Sequence, residues 1–288
     1  MVPTKFVAEV SSNHNQDLNR SLQFVDAAAE CGFDAIKFQL FEVEKLFSEE
    51  ARFAHPQLAN RKAWELPPSF ISPIASRAHD LGLEFSCTPF HLEAVQMLEP
   101  YVDFFKIASY ELLWPNLALA CAKTRKPLVV STGMAELSEV ETAVSSIITN
   151  FPEIDLTILH AVSSYPAPFD QCNLAAIETI RQKFGVRVGW SDHTVSDGII
   201  NAAVFGQHAS MIEMHIDLDG KGFEFESQHC WLLDKAKKLI SNIREGEKSI
   251  GDGIKIPVPA EIPDRIWRAD PSDGLRPFMS KRAELKQN

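Results

Sequence analysis

No pair of cysteines in this chain has CxxC spacing, and their number is odd: Cys31, Cys87, Cys121, Cys172 and Cys230. There is thus no sign of a disulfide framework or a thiolate zinc site, and the usage fits a reducing cytoplasm. No glycine-rich GxGxxG follows the first hydrophobic segment, which weighs against a dinucleotide-binding fold. No apolar run is long enough to span a bilayer. The N-terminus, Met1-Val2-Pro3-Thr4-Lys5, leads straight into a strand pattern with no signal-peptide features. An excess of positive charge is missing too. Lys and Arg number 28 against 39 Asp and Glu, a net charge of -11, which argues against nucleic acid or an anionic membrane as a partner. An anionic small substrate is still compatible, because a local basic pocket can sit inside an acidic protein.

What is present is a repeating pattern. The 288 residues, 45% hydrophobic and 23% charged, suffice for a large buried core. Short apolar runs alternate with helical spacings: Phe6–Val10 before a helix at Leu18–Cys31, Ala35–Leu40 before one at Pro68–Leu81, and Leu83–Cys87 before one at His91–Leu98. Asp103–Ile107, Pro127–Ser131, Leu156–His160, Val186–Trp190 and Ser210–His215 continue the series, and a last helix covers Leu232–Ile250. Glycines such as Gly32 stop the helices. Continuously apolar strands belong in a parallel sheet covered by helices, and about eight such units predict an α/β fold, a closed (β/α)8 TIM barrel. Residues 1–251 form the expected catalytic barrel and 252–288 a short extended C-terminal tail. Phe41–Pro67 is a long βα loop, read as a lid or oligomer contact. Cys31 and Cys121 fall in helical patterns as small buried residues, and Cys87 ends a strand, where it fills the core or lines a pocket.

In a TIM barrel the active site forms at the C-terminal strand ends. Those ends offer Glu9, Lys37, Gln39, Ser86, Thr88, Lys106, Ser109, Glu111, Ser131, Thr132, His160, Ser163, Ser164, Tyr165, Ser191, Asp192, His193, Glu213 and His215. Lys37 and Lys106 stand inside apolar strands, where an ammonium is costly unless paired. Pairing with Glu9 or Glu213 to hold the barrel is one reading. An anion clamp completed by serine hydroxyls is another, and a Schiff-base lysine a third. His193 and His215, on adjacent strands beside Asp192 and Glu213, suit an open divalent-metal site. His14 and His160 are weaker candidates, and His79, His91 and His208 look like surface or helix positions. Alternation along the strand gives Ser191 and His193 one face and Asp192 the other, so Asp192 braces the strand end rather than joining a hydrolase triad.

Read together, these stretches carry a resemblance. Ala8-Glu9-Val10 with Asn13-His14-Asn15, Lys37-Phe38-Gln39, Thr88-Pro89-Phe90, Phe105-Lys106-Ile107-Ala108-Ser109 with Glu111, and Ser131-Thr132-Gly133-Met134 make up its first half. Val162-Ser163-Ser164-Tyr165-Pro166, Trp190-Ser191-Asp192-His193-Thr194 and Ile212-Glu213-Met214-His215 complete it. The chain resembles the sialic acid (N-acetylneuraminate) synthase family, and the match runs from the first strand to the last helix. The resemblance implies a transferase that condenses phosphoenolpyruvate with an N-acetylated, N-acetylmannosamine-like hexosamine. It implies sialic acid or nonulosonate biosynthesis for surface polysaccharide, a cytoplasmic homodimer, and a divalent metal, Mn2+ or Mg2+, on His193 and His215. Lys37, Thr88, Lys106, Ser109, Ser131 and Ser191 resemble the phosphoenolpyruvate clamp, and Glu9 the carboxylate beside the reacting carbons. Gln39, Glu111 and Tyr165 resemble contacts to the amino sugar.

The chain departs from the family pattern on the acceptor side. The C-terminal antifreeze-like domain, source of an arginine to the sugar's N-acetyl group, is expected to be missing, with Arg276 and Arg282 the tail's candidates to replace it. Gly220–Glu226 stands for the family's Pro-Gly-Pro-Asp-like loop, placing Glu226 where its sugar-binding aspartate stands. Ser163 replaces an asparagine of some members. A metal-dependent or Schiff-base aldolase, a hydrolase on the same barrel, or a non-catalytic sugar-binding homologue are the alternatives.

Overall fold

A computed structural model describes residues 3–285. Met1, Val2 and residues 286–288, parts of the N-terminal and tail readings, lie outside the described residues. In chain order the first half comprises β1 (Lys5–Glu9), α1 (Leu18–Cys31), β2 (Ala35–Leu40), α2 (Val43–Leu46), α3 (Glu49–Ala54), α4 (Ile71–Asp80), β3 (Glu84–Pro89), α5 (Leu92–Leu98), β4 (Phe104–Ile107), α6 (Pro115–Lys123) and β5 (Leu128–Ser131). The second half comprises α7 (Leu137–Asn150), β6 (Leu156–Ala161), α8 (Ala176–Phe184), β7 (Arg187–Asp192), α9 (Asp197–Asn201), β8 (Met211–Asp217), β9 (Trp231–Leu232), α10 (Leu233–Ser249) and α11 (Met279–Leu285). Strands β1 to β8 pair in parallel in sequence order, and β8 pairs back onto β1, so the sheet closes as the expected (β/α)8 barrel. The short β9 adds to β8 at Ile216 and Asp217.

Local chemistry sets the boundaries. Asp17 caps α1 by accepting from the Asn19 and Arg20 amides, and Gly32 ends it at φ 83°, a left-handed turn open to glycine at no steric cost. The loop after β2 is not structureless: it holds α2, α3 and a 3-10 stretch over Pro56–Trp64. Helix α9 stops at Asn201 and continues as a π-helical turn over Ala202–Gly206.

The chain divides into two compact units, Met1–Glu247 and Lys248–Asn288, with the division inside α10. The second unit is not uniformly extended. It contains 3-10 turns at Pro259–Glu261 and Arg265–Trp267 and the terminal helix α11. Arg282 is already held there by Asp273, and Arg276 is exposed.

Strand alternation stacks the barrel interior in layers. Val7, Ala35, Phe104, Val129, Leu159 and Met211 form a buried apolar plug. Gly189 belongs to this level, because a Cβ there would lie 2.2 Å from the Met211 carbonyl oxygen. Two residues further along the same strands stand Glu9, Lys37, Lys106, Ser131, Ser191 and Glu213, all buried. One more step gives Gln39, His193 and His215. The apolar floor thus fixes the charged tier above it, since a one-residue slip of any strand would turn its charges into the helix-facing core.

Asp192 takes the opposite face, as expected of a brace. Its carboxylate accepts from the indole N–H of Trp190 at 3.0 Å and of Trp231 at 2.9 Å, from the Thr194 hydroxyl at 2.6 Å and from the Val195 amide at 3.1 Å. It is fully buried and ties β7 to β9. Asp192→Ala strands two buried indole donors and is expected to lower stability by about 3 kcal/mol or more, read from the urea unfolding midpoint. A loss below about 1 kcal/mol would remove the brace from the account.

Candidate active site

The floor of the barrel mouth is a network of compensating charges. Lys37 forms an ion pair with Glu9, donates to the Thr88 hydroxyl at 3.3 Å and lies 3.7 Å from Glu213. Lys106 donates to Glu213 at 3.1 Å, and Ser191 donates to the same carboxylate oxygen at 2.9 Å. Gln39 donates to Glu9 at 2.9 Å. Burial pulls the Lys37 ammonium down, yet Glu213 and Glu9 more than offset it and hold it above the usual range. For Lys106 burial wins over Glu213, and the Lys37 charge adds to the lowering. Glu213 is opposed by burial but is held well below the usual carboxylate range by Lys106 and Lys37. So in the resting protein both lysines are paired with the two acids named from the sequence.

A set of hydroxyls stands beside this floor. The Ser109 hydroxyl accepts the Gly133 amide at 2.9 Å. A Cβ on Gly133 would fall 2.2 Å from the Ser163 hydroxyl and 2.9 Å from that of Ser109, so only glycine lets the two serines close over this backbone. The buried hydroxyls of Ser131 and Ser163 have no hydrogen-bond partner among the described residues. Buried polar groups are nearly always paired, so orphans at a strand mouth read as donors waiting for a ligand.

The third group is a cluster of rings. His193 and His215 stand 5.3 Å apart between centroids, and Tyr165 packs on His193 at 4.3 Å. His193 Nδ1 lies 2.7 Å from the Val162 carbonyl oxygen, which only accepts, so Nδ1 carries the proton and Nε2 keeps its lone pair. Burial, then the neighbouring His215, pushes the His193 imidazole down to about 3, so it is neutral near pH 7, the form that ligates metals. Burial lowers His215 as well, but Glu224 at 3.1 Å reverses the sign and holds it above its ordinary value.

Three neighbours here escaped the strand-end reading: Glu224, His229 and Cys230. His229 lies 4.6 Å from His215 and 4.9 Å from Tyr165 between ring centroids. His215, Glu224, His229 and Cys230 each offer one ligand atom, all within 4.8 Å of one another. Both ring nitrogens of His229 are buried without a hydrogen-bond partner. Imidazole nitrogens, a carboxylate and a thiol converging on one point form a donor set that fits a divalent ion. Glu226, the acid expected on the acceptor side from its position in the sequence, is exposed, and it is Glu224 that reaches the histidines. The signal available in the sequence was His229-Cys230 directly before the short apolar pair Trp231-Leu232.

The weaker histidines resolve individually. His160 is bound to the Cys172 carbonyl, and His79 pairs with Asp103 near the surface. His91 is buried and caps α5 through the Ala94 amide, so it is a structural residue rather than a surface one. Cys87 is fully buried.

The NeuB family profile matches residues 24–255. The chain belongs to the NeuB family. An N,N'-diacetyllegionaminic acid synthase of Campylobacter jejuni is 35% identical over 267 residues, covering 88% of this chain and 80% of that protein. A pseudaminic acid synthase of Helicobacter pylori is 31% identical over 268 residues, covering 87% and 76%. The crystal structure of an N-acetylneuraminic acid (sialic acid) synthetase from Leptospira borgpetersenii in complex with citrate superposes with a TM-score of 0.81 at 29% identity, over 99% of this chain and 93% of that one.

Within this NeuB barrel, Glu111 is 9% exposed and has one carboxylate oxygen without a partner, and burial pushes it up to about 7. An acid raised in the fold contributes most below its unfolded value near 4.3, and that contribution is lost as pH rises through the folded value. Glu111→Gln cannot titrate. Its stability relative to the parent protein is therefore expected to rise between about pH 4.5 and pH 7 and then level off, by on the order of 2 kcal/mol, in paired chemical denaturations across pH. A constant difference across that window would show that Glu111 is an ordinary carboxylate.

Proposed function

We propose that this chain is a phosphoenolpyruvate-dependent condensing synthase. It joins phosphoenolpyruvate to an N-acetylated amino hexose of the N-acetylmannosamine type, giving a sialic or related nonulosonic acid and phosphate. Cytoplasmic, homodimeric action in surface-polysaccharide synthesis belongs to the same reading. The observation that carries it is the pair of buried ammonium groups on the barrel floor, flanked by unpartnered hydroxyls and next to the ring cluster, in a chain of this family.

The residues divide the work by chemistry. An ammonium has three N–H donors, so Lys106, bonded to Glu213 alone, and Lys37, bonded to Glu9 and Thr88, each keep a donor for an incoming phosphate or carboxylate. Ser109, Ser131 and Ser191 supply neutral donors beside them. Glu9 and Glu213 lie where positive charge develops on the carbon bearing the phosphate. His193 and His215 would hold a divalent ion, manganese or magnesium, which when bound would supply Lewis acidity toward the acceptor's aldehyde. Gln39, Glu111 and Tyr165 face the acceptor in this reading. The C=C π pair of phosphoenolpyruvate forms the new bond to the aldehyde carbon, while the aldehyde C=O π pair moves onto its oxygen, which takes a proton from solvent. Water bonds to the phosphate-bearing carbon and passes one proton to Glu9; the bond to phosphate then breaks with its electron pair on phosphate, and the remaining hydroxyl proton is lost to solvent as the keto group forms.

Incubating the protein with manganese, phosphoenolpyruvate and either N-acetylmannosamine or a diacetamido hexose is expected to release inorganic phosphate. Lys106→Ala, folded by circular dichroism, is expected to lose roughly 100-fold or more in kcat/KM. Absence of phosphate release with every such sugar sinks the proposal. A lysine trapped by borohydride on a keto-acid substrate would replace it with a Schiff-base aldolase.

A further inference from the structure

Glu224, His229 and Cys230 have no part in the reaction just described, yet they are built into the site with care. Asn13, in the loop after β1, holds their loop at three points. Its Nδ2 donates to the Ile216 carbonyl at 2.9 Å and to Cys230 Sγ at 3.4 Å, and its Oδ1 accepts the Glu224 amide at 2.8 Å. Gly222 makes the approach possible, since a Cβ there would lie 2.3 Å from that same Oδ1. Ser11 donates to one Glu224 oxygen at 2.6 Å, which turns the other oxygen to His215 at 3.1 Å and His229 at 3.5 Å. His229 is 3% exposed and Cys230 5%. Apart from that 3.5 Å approach of Glu224, neither buried ring nitrogen of His229 has a hydrogen-bond partner among the described residues, a costly arrangement to hold without a ligand.

We propose that His215, Glu224, His229 and Cys230 form a four-donor site for a transition-metal ion of the zinc or cobalt class. Tetrahedral coordination at about 2.0–2.3 Å needs donor atoms about 3.3–3.8 Å apart, so a set within 4.8 Å closes by roughly an ångström. On binding, the Cys230 thiol gives its proton to solvent. The carboxylate and thiolate then balance the dication, which two neutral imidazoles cannot do in a buried site. The acids Glu9 and Glu213 do not serve, because Lys37 and Lys106 already hold them. Imidazole and thiolate together favour zinc, cobalt or ferrous iron over magnesium, whose ligands are oxygens. This assignment shares His215 with the proposed function but does not need the condensing reaction, and it is tested with no substrate present, so the two fail separately.

The test titrates chelator-stripped protein with Co2+ and reads its electronic spectrum. The expected result is one equivalent of cobalt with the intense visible bands of tetrahedral coordination and a near-ultraviolet thiolate-to-cobalt band. Cys230→Ser is expected to abolish the thiolate band, His229→Ala to weaken cobalt binding at least tenfold, and His193→Ala to leave the band in place. Excess Mg2+ is expected not to displace cobalt. X-ray absorption on the unmutated zinc-loaded protein supplies a readout independent of folding, with a sulfur scatterer at about 2.3 Å. Cobalt bound without a thiolate band and lost in His193→Ala would place the ion on the His193–His215 pair, with Glu224 only orienting His215, and would overturn the proposal. Failure to take up cobalt, or a zinc shell without sulfur, would overturn it as well.

Discussion

Two buried ion pairs, Lys37 with Glu9 and Lys106 with Glu213, set the conditions for the rest of the barrel mouth. Each charge costs several kcal/mol to remove from water, and only mutual neutralisation makes four of them tolerable on one floor. The four sum to zero charge, so the floor is locally neutral within an acidic protein, and this local balance rather than the net charge sets its electrostatics. The pairs also bear on substrate entry. An anion arriving at this floor competes with carboxylates already in place, so affinity is set by the difference between two ion-pair networks and not by the lysines alone.

The barrel was legible in the sequence because its signal is redundant. Eight strands with the same period and eight closing helices leave little room for another parallel fold, and a shifted end, as for the strand expected over Leu83–Cys87 and found at Glu84–Pro89, does not change the topology. The floor was legible for a related reason. A lysine inside an apolar strand has few physical explanations, and alternation along each strand puts Lys37, Lys106, Glu9 and Glu213 in the same tier once the sheet closes. Which explanation applies was not legible. Pairing with Glu9 or Glu213 and clamping an anion read identically in one dimension, and the structure shows the pairing in the resting protein. Asp192 was legible as a brace from parity, but its partners were not, since Trp231 lies on a strand too short to show any period.

Loops were the weak point, for a physical reason. Between β8 and β9 there is no hydrophobic repeat to fix which side chain points inward. The family resemblance drew attention to Glu226, and nothing in the local sequence pointed to Glu224, which the fold brings to His215 and His229. What fixes the loop is a set of hydrogen bonds from Asn13, about two hundred residues away in the chain, and no local pattern reports such a tie. The same tie brings His229 and Cys230 beside His215. A strand residue is placed by its neighbours in sequence, but a loop residue is placed by whatever distant group satisfies its backbone.

This contrast suggests how the chemistry is partitioned. Lys37, Lys106, Ser131 and Ser191 sit on strands, immediately above the Val7–Ala35–Phe104–Val129–Leu159–Met211 plug, where any change must be absorbed by a close-packed interior. Glu111 after β4, Ser163 and Tyr165 after β6, and the Gly220–Glu226 stretch after β8 sit instead on segments outside the strands. Loops tolerate substitution and insertion that strands do not. Under the proposed function, that puts the lysine floor on the part of the barrel least free to change, and Ser163 and the Gly220–Glu226 stretch, read on the acceptor side, on segments freer to vary.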